Sequence, residues 1–318
     1  MSALEREYTF CGGQLSKYDL KREQESKKGL KIFPFDKYCI KAASYDLTPT
    51  IVAMSSKVGM LETVYREKLP VEDRYYIYVR PKDTVLIVSN EYLIVPSNIA
   101  GYVSSRVSKV VEGFGHISTT IDPNWSGAAL IAVSNPSTQM LKIYVGRNVA
   151  QKGIPNQLAT VTFHYLHNAC NKKDKEQKQE GMRLDLLRKI NYTEKKGVLP
   201  FFRNLFHRHR REFTEYFFAA SKILEQGFTE ERWMSFLADF SFLTAVSRSE
   251  DAIVSQKAQK LARDYIITEN IFIRVRHWGE KHIKFFVFLI ICVLIVLWRM
   301  GILPEGMVTQ VLEILLGH

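Results

Sequence analysis

Short apolar runs separated by turn residues dominate the first half of the chain. Residues 75–79 and 84–88 are rich in β-branched and aromatic side chains, and they flank a Pro-containing turn sequence at 80–83. Further strands are predicted at 92–95, 129–133, 141–145 and 159–165. Many short strands of this kind predict a mainly β domain, a sandwich or a barrel, over residues 1–168.

Helical patterns occur near the start of the chain and again in its second half. Ser16 can cap a helix over residues 17–28, and Gly29 can end it. After the charged stretch at residues 171–178 the pattern becomes mainly helical, and Gly227 is suited to end the first of the later helices. The predicted later helices cover 203–226, 229 to about 246, and 249 to about 268.

An uninterrupted apolar run covers residues 285–298, between Lys284 and Arg299. A membrane span needs about 20 residues, and residues 281–303 reach that length if both cations snorkel to the interfaces. The alternative is a buried core helix, but the run is apolar on every face. Basic residues are concentrated before the run, so the positive-inside rule predicts a single-pass protein of the inner (cytoplasmic) membrane with its N-terminal domain in the cytoplasm.

These patterns predict five regions along the chain. They are a β domain at 1–168, a basic linker at 169–202, a helical region at 203–280, a transmembrane helix at 281–303 and a short apolar tail helix at 304–318.

Composition and charge narrow the class of protein. The 318 residues are 46% hydrophobic and 24% charged, which is typical of a globular chain rather than a disordered one. Most of the net charge of +11 lies in residues 172–211, which are suited to anionic lipid headgroups or are simply a solvated linker. We expect a lipid rather than a nucleic-acid partner. The four cysteines form no CxxC pair, so neither a zinc site nor a disulfide framework is expected.

Several short motifs follow one another in a recognisable order. They are 12–16 (GGQLS), 29–35 (GLKIFPF), 43–47 (ASYDL), Pro81, Glu91, Pro96, 106–108 (RVS), 121–127 (IDPNWSG) and 146–151 (GRNVAQ). In this order they resemble the dCTP deaminase branch of the trimeric dUTPase superfamily. The resemblance implies a distorted β-barrel or jelly roll, a homotrimer with sites between subunits, and a pyrimidine nucleotide as ligand. It implies no resident cofactor, although Mg²⁺ can accompany a triphosphate.

The resemblance also assigns candidate site residues. Arg106 and Ser108 fall where the family binds phosphate, with a bidentate guanidinium and a hydroxyl donor, and Gln151 matches a phosphate-side glutamine. Trp125 replaces an aromatic residue that packs on the deoxyribose, and core packing is its alternative role. Asp122 matches the aspartate that orients the attacking water in the dUTPases, or else it only shapes a turn. A faint likeness to the family's C-terminal lid includes Tyr192 and Lys196, for which a basic linker is the alternative.

The chain departs from the family where deamination needs a base. The family carries a glutamate at the position of Ala132, and Val111 is the nearest counterpart of an assisting arginine. Glu112 is the only nearby acid that could substitute. Deamination without zinc requires a carboxylate that activates water and passes its proton to the leaving amine. We therefore predict that deaminase activity is lost.

Three functions remain open on the sequence. The first is a membrane-anchored nucleotide-binding protein that signals through its helical region, and a stress or antiviral role fits this by analogy only. The second is an active dCTP deaminase or dUTP diphosphatase tethered to the membrane. The third is a structural trimer that clusters its membrane anchors.

Overall fold

Most of the secondary structure in the described part of the chain is β-strand. The computed structural model describes residues 13–57, 62, 64–67, 74–148, 154–170, 222–223, 225–240, 266–268, 293 and 296. The strands are β1 (Gly13–Gln14), β2 (Lys31–Phe33), β3 (Tyr45–Leu47), β4 (Pro49–Ser55), β5 (Val64–Glu67), β6 (Arg74–Val79), β7 (Thr84–Ile94), β8 (Ile99–Ser105), β9 (Ser118–Ile121), β10 (Ser126–Ser134), β11 (Leu141–Val145), β12 (Arg147–Asn148), β13 (Ile154–Pro155), β14 (Ala159–Tyr165) and β15 (Ile266–Thr268). The helices are α1 (Lys17–Glu25), α2 (Val107–Val111) and α3 (Glu230–Phe240). The mainly β fold predicted for the first region is confirmed.

The described strands form three larger sheets and one hairpin. The first sheet has the order β1-β14-β8-β9, with β3 also paired to β14. The second has the order β10-β7-β2, with β4 also paired to β7, and the third has the order β11-β6-β5-β15. Strands β12 and β13 pair with each other. The sheets wrap around one large apolar core that draws on all three.

Both faces of the second sheet contribute side chains to apolar clusters. One face contributes Ala129, Ile131 and Val133 to the main core. The opposite face contributes Val88 and Tyr92 to a separate apolar cluster that also contains residues of α3. Every residue of β4 is buried, as expected of a strand in a sheet with both faces covered.

Helix α1 begins where the sequence predicts and ends three residues early. Ser16 is its N-cap, and the Ser16 and Asp19 side chains form a reciprocal capping box. Residues 26–28 leave the helix, and the next strand begins at Lys31. The Glu23 carboxylate accepts a hydrogen bond from the Leu30 backbone at 3.2 Å, so this turn is fixed by a side chain rather than by a longer helix.

Two sequence predictions of secondary structure are wrong. The sequence predicts separate strands at 84–88 and 92–95, but residues 84–94 form the single strand β7. The polar residues between these two segments are buried and form hydrogen bonds. For example, Asn90 Nδ2 donates to Thr48 Oγ1 at 2.9 Å. Residues 266–268 are predicted as the end of a helix, but they form strand β15, which pairs in parallel with β5. Two isoleucines and a threonine suit an edge strand better than a helix end.

The first two of the predicted later helices agree with the sequence where the structure describes them. Residues 222–223 and 225–226 are helical, and Gly227 then takes a φ of +76°, the left-handed conformation typical of a helix end. Helix α3 begins at Glu230, as expected, and is described to Phe240. Val293 and Val296 are helical and 49% and 54% exposed. Among the residues described, no helix is both long enough and apolar enough to span a bilayer.

Candidate nucleotide site

Arg106 is held in place at the junction of β8 and α2. Its Nε lies 3.6 Å from Asp46 Oδ2, and its Nη1 donates to the Gln157 carbonyl at 3.4 Å. Asp46 is buried, and its other oxygen accepts a hydrogen bond from Thr160 Oγ1 at 2.6 Å. Lys41 Nζ lies 3.6 Å from the same Asp46 Oδ2. Asp46 therefore orients the Arg106 guanidinium, which remains partly exposed and able to meet an anion.

The short helix α2 presents one polar and two apolar side chains to solvent. Ser108 is exposed, which suits the predicted phosphate contact. Val107 and Val111, one turn apart, are 79% and 81% exposed. Val111, the nearest counterpart of the assisting arginine that the resemblance implies, therefore presents an apolar side chain to solvent.

Glu112 is paired with a lysine and is not free to replace the missing base. Its Oε2 lies 2.7 Å from Lys109 Nζ, and Lys109 is itself buried, with its ammonium over the Phe114 ring. Removing Glu112 from this pair would leave a buried charge uncompensated, which is costly. The Glu112 carboxylate therefore serves to neutralise Lys109.

Asp122 and Trp125 lie in a tight turn between β9 and β10. The Trp125 amide donates to the Asp122 carbonyl at 3.2 Å, and Asn124 takes a φ of +60°, which asparagine tolerates better than most residues. Trp125 is half-buried and packs against the main core. Asp122 is exposed, and within the described residues its carboxylate makes no hydrogen bond or ion pair. Asp122 thus shapes the turn through its backbone and presents its carboxylate to solvent, whereas Trp125 has the core contact of its alternative role.

Arg106 and Asp122 lie at opposite ends of one pair of strands. Strands β8 and β9 are antiparallel, and Ser104 pairs with Ser118 while Gly101 pairs with Ile121. Asp122 therefore lies level with Ala100, six residues along β8 from Arg106. At the rise of a β-strand this is a separation of about 20 Å. One chain therefore does not bring Arg106 to its own Asp122–Trp125 turn.

Ala132 lies on the Arg106 side of the domain. It is exposed on β10, opposite Leu86 of β7. Two residues further on, the Ser134 carbonyl accepts a hydrogen bond from the Gly115 amide at 2.8 Å, so the loop after α2 runs beside this end of β10. The two segments lie close together here, because a Cβ added at Gly115 would lie 2.1 Å from Ser134 Oγ and would force that hydroxyl to move.

Some candidate residues fall outside the described part of the chain, and others were missed. Gln151, Tyr192 and Lys196 lie outside the described residues. Gln157 and Lys41, which help to fix Arg106 and Asp46, were not predicted. Neither lies in a motif, and only the pairing of distant strands brings them to the site. Within the described ranges, no group of three or more His, Cys, Asp or Glu side chains is arranged to hold a metal ion.

Comparison with known proteins matches the same part of the chain. A family model described as dCTP deaminase-like matches residues 14–152. The dCTP deaminase of Thermococcus kodakarensis is 26% identical over 125 residues, which cover 39% of this chain and 75% of that protein. The dCTP deaminase of Marinomonas sp. is 30% identical over 92 residues, 27% of this chain and 47% of that one.

Solved structures of related folds give weaker likenesses. The dCTP deaminase of Agrobacterium tumefaciens has a TM-score of 0.35 at 13% identity, covering 51% of each chain. The native dUTPase of EIAV has a TM-score of 0.23 at 16% identity, covering 39% of this chain and 98% of that one. Residues 14–152 of this chain therefore match the dCTP deaminase-like family model, and the curated relatives that share this region are dCTP deaminases.

Proposed function

We propose that the domain binds a pyrimidine nucleotide, or a related nucleotide messenger, between two copies of the chain. The separation of about 20 Å between Arg106 and Asp122 carries this proposal. A site that uses both residues needs the Arg106 end of one copy and the Asp122 end of another. A closed homotrimer satisfies this requirement with equivalent sites, and the relatives that match the domain are dCTP deaminases.

We infer that the bound nucleotide is not deaminated. Ala132 stands where the resemblance expects a carboxylate, and its side chain is exposed with no ionisable group. The nearest acid in sequence, Glu112, is engaged with Lys109. Loss of a general base commonly costs two to four orders of magnitude in rate, roughly. The pocket then serves to recognise a nucleotide rather than to convert it.

Calorimetry with dCTP and dUTP as probes tests nucleotide binding. The full chain should give saturable heat with at least one of them, because Arg106 and Ser108 supply phosphate contacts. Arg106→Ala should abolish that heat, whereas Arg22→Ala, at an exposed arginine of α1, should leave it unchanged. Absence of saturable heat with either nucleotide in the wild-type chain would refute the proposal.

We further propose that residues 281–303 anchor the chain in the inner membrane, with the domain on the cytoplasmic side, and that binding is signalled toward this segment. The apolar run and its flanking cations support the anchor, as do the half-exposed helical valines 293 and 296. Val293→Arg should release the chain from the membrane fraction, and Val107→Arg, at an exposed valine of the domain, should not. Retention of the Val293→Arg chain would refute the anchor.

An active dUTP diphosphatase is the second candidate. The exposed and unengaged Asp122 carboxylate favours it, since a water-orienting base must be accessible. Chromatography of the products after incubation with dUTP would reveal dUMP, and Asp122→Asn should then abolish its formation. Equal turnover by the variant would exclude Asp122 as the base.

A further inference from the structure

Helix α3 lies outside the matched region and covers one face of the second sheet. Residues 222–240 lie beyond residues 14–152, yet the Trp233 and Leu237 side chains are fully buried against the second sheet. The sheet residues under this cover include Val52, Met54 and Val88. A β-sheet of this kind needs an apolar cover on each face, and a segment from the C-terminal half of the chain supplies the second one.

Trp233 fixes the position of the helix. Its indole Nε1 donates to the Asn90 carbonyl at 2.8 Å, and its ring packs edge-on to Tyr92 with centroids 5.2 Å apart. Phe228, just before the helix, stacks on Tyr92 at 4.2 Å. A buried indole that satisfies its N–H on backbone is a specific contact, since the donor would otherwise be unpaired.

The covered face is also the face of Ala132. Alternate residues of a strand share a face, so Leu130 and Ala132 of β10 point the same way. Leu130 and Leu86, which lies opposite Ala132, both pack against the α3 cluster while remaining partly exposed. Ala132 itself is exposed, with the α3 cluster on one side and the loop at Gly115 on the other.

We propose that α3 is the element that couples nucleotide binding to the C-terminal part of the chain. A nucleotide base beside Ala132 contacts Leu86 and Leu130, the same side chains on which α3 rests. Binding therefore strengthens the docking of α3, and docking of α3 shapes the wall of the site. Trp233 acts in this as a positioning residue. This coupling rests on the proposed nucleotide site, and α3 would transmit the binding of the nucleotide to the C-terminal part of the chain.

Linkage makes the coupling measurable from both directions. In the wild-type full chain, saturating dCTP or dUTP should slow hydrogen exchange in peptides covering residues 228–240. Reciprocally, Trp233→Phe keeps an aromatic ring but removes the hydrogen bond to Asn90, and it should weaken nucleotide affinity by about fivefold or more. Leu20→Ala, which opens a hole in the main core at a fully buried residue of α1, is the control for general destabilisation and should change affinity less than twofold.

The outcomes separate the coupling from the site on which it depends. Saturable heat of nucleotide binding with unchanged exchange in 228–240, or with an unchanged affinity in Trp233→Phe, overturns the coupling and leaves the site standing. Equal loss of affinity in Trp233→Phe and Leu20→Ala also overturns it, because the effect is then one of stability alone. Absence of saturable heat in the wild-type chain overturns both.

Discussion

Arg106 and Asp122 are separated by the length of β8, at opposite ends of the β8–β9 pair. The order of motifs along the sequence places both in one nucleotide site, and the register of two strands keeps them apart within one copy. In the proposed site, this separation makes assembly of two copies a condition of nucleotide binding.

A mixing experiment tests whether two copies share each site. Arg106→Ala removes the phosphate contact, and Trp125→Ala removes the aromatic wall at the other end. The backbone bonds of Trp125 to Asp122 and Val95 remain in place. Each variant alone should bind nucleotide at least tenfold more weakly than wild type.

Oligomers assembled from an unfolded mixture of the two variants should regain part of the lost binding, because some sites then combine an intact Arg106 with an intact Trp125. Calorimetry on the refolded mixture provides the measurement. No recovery in a mixture shown by mass spectrometry to contain mixed oligomers would place both residues in a site within one copy.

Ala132→Glu tests the explanation for the lost chemistry. Ala132 is exposed on β10, so a glutamate there should change the free energy of unfolding by only about 0.5 kcal/mol. It restores a carboxylate where the resemblance expects the base, and slow conversion of dCTP to dUTP should become detectable by chromatography. Ala132→Gln has the same shape without an ionisable group and should remain inactive. Equal activity in the two variants would rule out this carboxylate as the base.

Trp233 should contribute substantially to the stability of the domain. Trp233→Ala removes a fully buried indole and its hydrogen bond to Asn90, and we expect a loss of about 3–5 kcal/mol in the free energy of unfolding. Glu231→Gln, at an exposed residue of the same helix, should cost about 0.5 kcal/mol or less. Urea denaturation followed by far-UV circular dichroism measures both. A loss below 1 kcal/mol for Trp233→Ala, roughly, would mean that α3 is not docked in solution.

Glu91 should make stability fall between mildly acidic and neutral pH. Burial raises the pKa of Glu91 from 4.5 to about 7, although Thr48 donates two hydrogen bonds to the carboxylate. Because the pKa is raised in the folded state, the contribution of Glu91 is complete below pH 4.5 and is lost as the pH rises through 7. The change is on the order of 3 kcal/mol.

Urea denaturation of wild type and Glu91→Gln at pH 5, 6, 7 and 8 isolates this contribution, since other titrating groups are common to both. The difference between the two proteins should shift in favour of Glu91→Gln as the pH rises. A difference that stays constant over this range would show that Glu91 titrates at its ordinary pKa.

Local sequence patterns predicted the strands that lie in regular sheets. Leu141–Val145 and Ala159–Tyr165 were predicted with the bounds that the structure shows, because apolar residues alternate there between clear turns. Strand β7 was divided in two because Ser89, Asn90 and Glu91 look like a break. Asn90 and Glu91 are buried with Thr48, more than 40 residues earlier, as their hydrogen-bond partner, and no local pattern indicates such a partner.

The sequence predicts candidate site residues but not how the fold arranges them. The motifs identified Arg106 and Asp122, but only the pairing of Ser104 with Ser118 shows how far apart they lie. The hydrogen bond from Trp233 to Asn90 joins residues 143 positions apart. The spacing of apolar residues predicts α3, but that spacing does not indicate which sheet the helix covers.

The central claim is that the domain binds a pyrimidine nucleotide and leaves it unchanged. Titrating the full chain with dCTP in a calorimeter, then recovering the nucleotide from the cell for chromatography, tests both parts in one measurement. We predict saturable heat and intact dCTP. Recovery of dUTP or dUMP in place of dCTP, or the absence of saturable heat with dCTP and with dUTP in turn, would contradict the account.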